Sequence, residues 1–100
     1  MNISVTELKE RLATGKEINI IDVRQELEYH TFNVGGENIP LGRLPSSIED
    51  ISIDKEKEII VICQRGVRSA TAQKMLEASG YSNVRNLEGG LLAFRKNINN

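Results

Sequence analysis

The chain has 100 residues, of which 39% are hydrophobic and 27% charged, and its formal net charge is −1. These values are ordinary for a globular domain, and we predict one domain over residues 1–100. The balance of 13 basic and 14 acidic residues gives no bulk electrostatic reason to expect a nucleic-acid or membrane partner. No apolar stretch approaches the ~20 residues of a membrane span, and the N-terminus lacks a basic region followed by an apolar run.

The first elements of the chain are a predicted helix and a predicted strand. Ser4 and Glu7 have the spacing of a capping box, and the apolar residues behind Ser4 form one helical stripe that ends before Gly15. INIIDV (18–23) is short and rich in β-branched residues, which is typical of a strand.

Residues 24–43 have little periodicity and contain three glycines and a proline. We expect a long, mostly irregular connection there, and such a loop inside a compact domain tends to be functional. Pro45, followed by Ile48 and Ile51, then predicts a short helix.

The second half predicts two strands that alternate with two helices. EIIVIC (58–63) holds four consecutive β-branched residues, as in a parallel strand that is covered on both faces. A helical pattern runs from Arg68 to Ser79 and stops at Gly80, and NVRNL (83–87) is a third strand candidate. A last helix is predicted after Gly89-Gly90, with Leu91, Phe94 and Ile98 at helical spacing and a frayed end at Asn99-Asn100.

Strands alternating with helices predict an α/β fold, a parallel sheet with helices on both faces. Ligands of such sheets bind beyond the carboxyl ends of the strands, where Cys63 is predicted to lie. Cys63 is the only cysteine, so an internal disulfide is impossible, and we expect no metal site. In a reducing, cytoplasmic setting, which is the default expectation, such a cysteine is either a buried apolar residue or a reactive thiolate.

The residues after Cys63 favour the reactive interpretation. Gly66 permits a positive φ, so the residues between strand and helix form a tight turn whose N–H groups point inward. The amino end of the following helix adds unpaired donors, and both effects lower the pKa expected for a thiolate there. Between Glu58 and Glu77 the chain carries three basic residues and no acid, which predicts a local anion site. Because Arg68 opposes the helix dipole, we also expect a negative group to compensate it.

The sequence resembles the rhodanese-like domain family. IDVR (21–24), EY (28–29), GGENIPL (35–41), CQRGVRSA (63–70) and GYSNVRNLEGG (80–90) match the landmarks of the family in order. The resemblance implies a three-layer α/β fold, with a central, mainly parallel sheet flanked by helices on both faces. It also implies a sulfurtransferase with a six-residue active-site loop, in which the cysteine carries a sulfane sulfur as a persulfide. The donor would be thiosulfate or a protein persulfide, and the acceptor a thiophile such as cyanide or a protein thiol.

On this basis Cys63 is the candidate catalytic nucleophile, and no cofactor beyond the covalent sulfur is expected. The candidate anion-binding loop is Gln64, Arg65, Gly66, Val67 and Arg68, with Arg68 favoured as the contact for the anionic donor. The candidate supporting residues are Asp22, Arg24 and Ser69. Partners are expected to be a small anionic sulfur donor and a protein donor or acceptor.

The chain departs from the family in places. Many members carry Gly-His where this chain has Phe32-Asn33, and Phe94 replaces a usual tryptophan. By the resemblance, these positions belong to the edge of the site that would face the sulfur acceptor.

Several roles remain open at the level of sequence. Asp22 and Arg24 either tie the strand end to nearby backbone or to Glu28, or contact substrate; the structural role is favoured because buried charges persist when paired. His30 is expected at the solvated surface rather than in acid–base catalysis, and Gly89-Gly90 is expected to mark a turn.

Two other functions are alternatives to the sulfurtransferase. A cysteine phosphatase loop needs five residues between cysteine and arginine, whereas Cys63 and Arg68 enclose four. A non-catalytic binding or regulatory module is the second alternative, although such domains usually lose the cysteine.

Overall fold

The computed structural model describes residues 2–97 and shows helices alternating with strands. The helices are α1 (Val5–Ala13), α2 (Glu26–Thr31), α3 (Leu44–Ser47), α4 (Val67–Ala78) and α5 (Gly90–Asn97). The strands are β1 (Ile20–Asp22), β2 (Glu37–Asn38), β3 (Ile59–Ile62) and β4 (Val84–Asn86). Two 3₁₀ turns, Leu41–Arg43 and Ile48–Asp50, flank α3. Within residues 2–97, no helix is long and apolar enough to cross a membrane.

The four strands form one parallel sheet in the order β2-β1-β3-β4. The chain leaves β1 towards one edge of the sheet and leaves β3 towards the other, so the strand order reverses between these two central strands. A crevice at the carboxyl ends of such a pair is the usual binding position in an open α/β sheet. Asp22 and Ile62 are paired at that end, which places Cys63 at the crevice.

Strand β3 forms the centre of the core because both of its faces are covered. Ile59 and Val61 pack in one apolar cluster with residues of α3 and α4. Ile60 and Ile62 pack in a second cluster with residues of α1 and α5. All four side chains are fully buried, which agrees with the predicted β-branched strand. The predicted fold class, a parallel sheet with helices on both faces, is confirmed.

The predicted ends of two helices are also confirmed. The Ser4 side chain caps α1 by accepting a hydrogen bond of 3.0 Å from the Glu7 backbone N–H. Helix α4 ends in a Schellman motif, because Tyr81 N–H donates to Leu76 and Gly80 N–H to Glu77. Gly80 has a φ of +102°, so a glycine suits this position.

The prediction of a mostly irregular segment over residues 24–43 was wrong. The segment contains α2, β2 and a 3₁₀ turn. Helix α2 has only six residues and buries none of them completely, so it produces no readable apolar period. Strand β2 has two residues at the sheet edge. At the end of the chain, Ile98 and the predicted frayed Asn99-Asn100 lie outside the described residues.

Candidate active site

The loop after β3 is a tight turn that leads directly into α4. Cys63 and Gln64 follow the strand, and Gly66 is the N-cap of α4 with a φ of +91°. The predicted positive φ at Gly66 is therefore confirmed, and the helix begins at Val67, one residue before the predicted start.

Hydrogen-bond donors converge on the sulfur of Cys63, although the residue is only 1% exposed. Gly66 N–H lies 3.0 Å from Sγ and Ser69 N–H lies 3.3 Å from it. The hydroxyl of Ser69 is 3.2 Å from Sγ. Burial alone would raise the pKa of the thiol, but hydrogen bonds from the Ser69 side chain and from the backbone of Ser69, Arg65 and Gly66 outweigh it, so the pKa is lowered. The direction agrees with the sequence prediction.

Asn86, at the end of β4, fixes the position of Ser69. The Ser69 hydroxyl lies 2.5 Å from Asn86 Oδ1 as well as 3.2 Å from Sγ, so its single proton is donated to one of these two acceptors at a time. Asn86 Nδ2 donates to the carbonyl of Gly66 at 2.9 Å. Ser69 and Asn86 are both buried. Because the amide of Asn86 bonds to Gly66 and to Ser69, it links two of the residues that surround the sulfur.

The amino end of α5 holds the carbonyl groups of the loop. Leu91 N–H donates to the Cys63 carbonyl and Leu92 N–H to the Gln64 carbonyl, each at 2.9 Å. With the carbonyls held on this side, the loop N–H groups face the sulfur. A Cβ at Gly90 would lie 2.5 Å from the Gln64 backbone. Gly89-Gly90 is therefore the predicted turn, and Gly90 in addition allows close contact between α5 and the loop.

Arg68 is paired with a carboxylate that the sequence places far away. Its guanidinium forms two hydrogen bonds with Glu28 of α2, at 2.7 and 2.9 Å. The bond from Arg68 is the main reason that the pKa of Glu28 falls to about 2. The prediction that a negative group compensates Arg68 is confirmed. No acidic residue lies near Arg68 in the sequence, but in the folded chain Glu28 of α2 lies next to it.

Asp22 and Arg24 form a buried ion pair behind the loop, with Nη2 and Oδ2 2.8 Å apart. The guanidinium of Arg24 also donates to the carbonyls of Glu28, at 3.2 Å, and Phe32, at 2.6 Å. The predicted structural tie is therefore present, made to the backbone of α2 rather than to the Glu28 carboxylate. It holds the helix that carries the partner of Arg68.

A cavity of about 190 Å³ opens at the loop and is lined by Cys63, Gln64, Arg65, Val67 and Arg68. The structure thus brings four of the five predicted loop residues, all but Gly66, to one cavity with the candidate nucleophile. Arg65 is exposed, and Val67 is 73% exposed. His30 is exposed, as predicted, and its ring packs edge-on against Tyr29.

Three contributors to the site were not identified as such from the sequence: Glu28 as the partner of Arg68, Asn86 and Gly90. Glu28 carried one signal, because Gln25 and Glu28 have capping-box spacing and form that box in the structure. Asn86 carried another, as a polar residue within the strand candidate 83–87, which the structure pairs with the cysteine strand. The contact of Gly90 with Gln64 left no signal beyond the glycine pair itself.

The fold and the site define a class: a parallel α/β domain with a buried cysteine whose pKa is lowered. The cysteine lies where the strand order of the sheet reverses. The chain belongs to the rhodanese-like domain family, whose model matches residues 4–97. The predicted resemblance is confirmed.

Individual relatives agree with this assignment. YtwF of Bacillus subtilis (strain 168), which carries a provisional sulfurtransferase name, is 36% identical over 93 residues that span 92% of this chain and 87% of that protein. YrkF of the same organism, provisionally named a sulfur carrier protein, is 30% identical over 90 residues, 89% of this chain but 48% of that protein. The structure of the human single-domain sulfurtransferase TSTD1 has a TM-score of 0.81 and 26% identity, and covers 95% of both chains.

Proposed function

We propose that this chain is a sulfurtransferase that carries a sulfane sulfur as a persulfide on Cys63. The observation that carries the proposal is the convergence of Gly66 N–H, Ser69 N–H and the Ser69 hydroxyl on Sγ at 3.0–3.3 Å. These donors stabilise an anionic sulfur that is almost completely buried. The relatives that carry sulfurtransferase names support the same chemistry.

In the loading step, the Cys63 thiolate attacks the outer sulfur of a donor such as thiosulfate. A new sulfur–sulfur bond forms to Cys63, the old one breaks, and its electron pair leaves with sulfite. The product is a Cys63 persulfide anion, and the total charge is unchanged. Arg65, exposed at the mouth of the cavity, supplies positive charge to attract the dianionic donor. Arg68 lies beside it but shares its charge with Glu28.

In the unloading step, an acceptor thiolate or cyanide attacks the outer sulfur of the persulfide. The bond to Cys63 breaks and the electron pair returns to Sγ, which regenerates the thiolate. No general base is needed, because the nucleophile is already ionised when its pKa is low enough. The cycle uses no cofactor other than the transferred sulfur. A reducing, cytoplasmic compartment suits it, since the thiol must stay free between turnovers.

The test is intact-mass spectrometry after incubation with thiosulfate. The wild type should gain one sulfur on a single site, and cyanide should remove it. Cys63→Ser should gain none, because Cys63 is the only cysteine. An unmodified wild type, or an adduct on Cys63→Ser, would refute the proposal.

The same samples separate the alternatives. A non-catalytic module would fail to load sulfur while keeping its fold. A phosphatase would hydrolyse a generic aryl phosphate in a Cys63-dependent manner, and we expect no such turnover, because the loop encloses four residues.

A further inference from the structure

The two large hydrophobic residues that are most exposed in the described part of the chain both border the candidate site. Leu27 is 80% exposed and Val67 is 73% exposed. Each is the chain neighbour of one member of the Glu28–Arg68 ion pair, which joins α2 to the first turn of α4. Leu27 lines one cavity and Val67 another, and Gln64 of the cysteine loop lines both, so the two apolar side chains lie on either side of that residue.

A second, larger cavity of about 440 Å³ extends from this rim. Its lining includes Leu27, Thr31, Phe32, Gln64 and Arg95. Gln64 also lines the cavity at Cys63, so the two cavities are adjacent. Together they surround the cysteine loop with apolar and charged side chains. We call the surface formed by Leu27, Phe32, Val67, Arg65 and Arg95 the docking rim.

The docking rim carries positive charge that no acidic residue of the rim balances. Arg95 lies over the ring of Phe32, with its guanidinium carbon 4.3 Å from the ring centre. Such stacking fixes the guanidinium and leaves its in-plane N–H groups available to a carboxylate. Within residues 2–97, neither Arg95 nor Arg65 takes part in an ion pair. The acids that border the rim are already paired, Glu28 with Arg68 and Glu26 with Arg43.

We propose that the docking rim binds an acidic, apolar polypeptide segment of a protein that exchanges sulfur with Cys63. The apolar side chains of the segment would cover Leu27 and Val67, its carboxylates would bind Arg65 and Arg95, and its cysteine would reach the loop cavity. This partner assignment rests on the proposed sulfurtransferase function. The partner thiolate attacks the outer sulfur of the Cys63 persulfide, the bond to Sγ breaks, and the partner leaves as the persulfide while Cys63 returns to thiolate.

Two synthetic peptides test the proposal, one acidic (Asp-Leu-Cys-Leu-Asp) and one basic (Lys-Leu-Cys-Leu-Lys). Fluorescent versions with serine in place of cysteine are titrated against Cys63→Ser protein, so that binding is measured without sulfur chemistry. The transfer rate from loaded wild-type protein to each cysteine peptide is measured by mass spectrometry. Acidic flanks make a thiol less ionised, so a faster transfer to the acidic peptide would not come from its intrinsic reactivity.

We expect the acidic peptide to bind at least tenfold more tightly and to accept sulfur faster, with a preference that weakens as salt is added. Arg95→Glu should abolish the preference and Leu27→Asp should weaken binding of the acidic peptide, while each variant should still gain one sulfur from thiosulfate at the end point. Lys57→Glu is the matched control, because it reverses an exposed charge before β3, at the opposite end of that strand. It should behave as the wild type.

Equal affinity for the two peptides, or equal behaviour of Arg95→Glu and Lys57→Glu, would overturn the docking proposal. The two proposals fail separately. A protein that loads sulfur but shows no peptide preference refutes the docking rim alone. A protein that binds the acidic peptide through Arg95 but never loads sulfur refutes the sulfurtransferase and, with it, the sulfur exchange assigned to the partner, and it leaves the docking rim as a binding surface only.

Discussion

The two ends of strand β3 show two different uses of polar groups. At the amino end, Glu58 bonds to Arg11 and Arg85, and Arg85 also bonds to Glu7, 2.7 Å away. At the carboxyl end, backbone and hydroxyl donors surround the sulfur of Cys63, and they are set by Asn86 and α5. At the amino end, the two carboxylates and the two guanidinium groups balance each other in charge.

The polar groups at the amino end of β3 stabilise the fold, whereas those at its carboxyl end act on the cysteine sulfur. The ion pairs around Glu58 join α1 to the sheet, so changes there should alter stability and leave the thiol unchanged. The donors around Cys63 act on one sulfur, so changes there should alter its ionisation. Substitutions at the two ends of the strand therefore test this separation.

The largest effect is expected from Gly90→Ala, which should disturb both stability and the sulfur. Its Cβ would lie 2.5 Å from the Gln64 backbone, and its φ is +65°. Overpacking and left-handed strain together should cost about 2–5 kcal/mol of unfolding free energy. Urea denaturation and ultraviolet thiolate absorbance measure the two changes.

Gly15→Ala is the matched control. Gly15 has a similar φ of +71°, but no atom lies within 4 Å of its Cβ position. It should cost only the backbone strain, about 1–2 kcal/mol, and leave the thiolate unchanged. Equal results for the two variants would contradict the role of α5 in holding the loop.

Ser69→Ala should raise the pKa of Cys63. The variant removes the hydroxyl 3.2 Å from Sγ and leaves the buried Oδ1 of Asn86 without its donor. A hydrogen bond to a charged group contributes about 1.5–3 kcal/mol, so the acid dissociation constant of the Cys63 thiol should fall by about tenfold or more. The pH profile of thiolate absorbance should move to higher pH, whereas Ser79→Ala, on the far end of the same helix region, should not move it. An unchanged profile in Ser69→Ala would show that the backbone donors suffice.

Glu58→Gln should lower stability without affecting the sulfur. The Glu58 side chain is 21% exposed, so its ion pairs should contribute more than exposed pairs and less than fully buried ones. We expect a loss of about 1–2 kcal/mol of unfolding free energy. Urea denaturation measures it, with the exposed Glu56→Gln as control. A shifted Cys63 titration in Glu58→Gln would contradict the independence of the two strand ends.

The smallest effect is the acid response of the Glu28–Arg68 pair. The pKa of Glu28 is lowered to about 2, below the ordinary glutamate value of about 4.3. Its stabilisation is therefore complete above the ordinary value and is lost as the pH falls towards 2. Since both side chains are about one-third exposed, the loss should not exceed about 1 kcal/mol. Glu28→Gln should remove this part of the pH dependence of urea unfolding; an identical pH dependence in wild type and variant would contradict it.

The sequence allowed the elements with strong local signals to be predicted. The β-branched run of β3, the cap at Ser4 and the glycine stop at Gly80 each depend on neighbouring residues. The alternation of these elements was sufficient for the parallel sheet and for the position of Cys63 at its carboxyl edge.

The parts of the fold and of the site that were not predicted from the sequence depend on contacts between residues far apart in the chain. Helix α2 and strand β2 are too short and too exposed to form a period. The pairing of Glu28 with Arg68 joins residues 40 positions apart, and the bond between Ser69 and Asn86 joins residues 17 apart. No local pattern contains such distances, so they become visible only when the sheet order is known.

The contact between α5 and the loop has a consequence for synthesis of the chain. The carbonyls of Cys63 and Gln64 are held by backbone groups of Leu91 and Leu92, which a ribosome adds about 30 residues later. During that interval the loop lacks the contacts that aim its N–H groups at the sulfur. Until α5 packs against the loop, we expect the thiol to have the weak acidity of an ordinary cysteine, so the reactivity of Cys63 depends on completion of the fold.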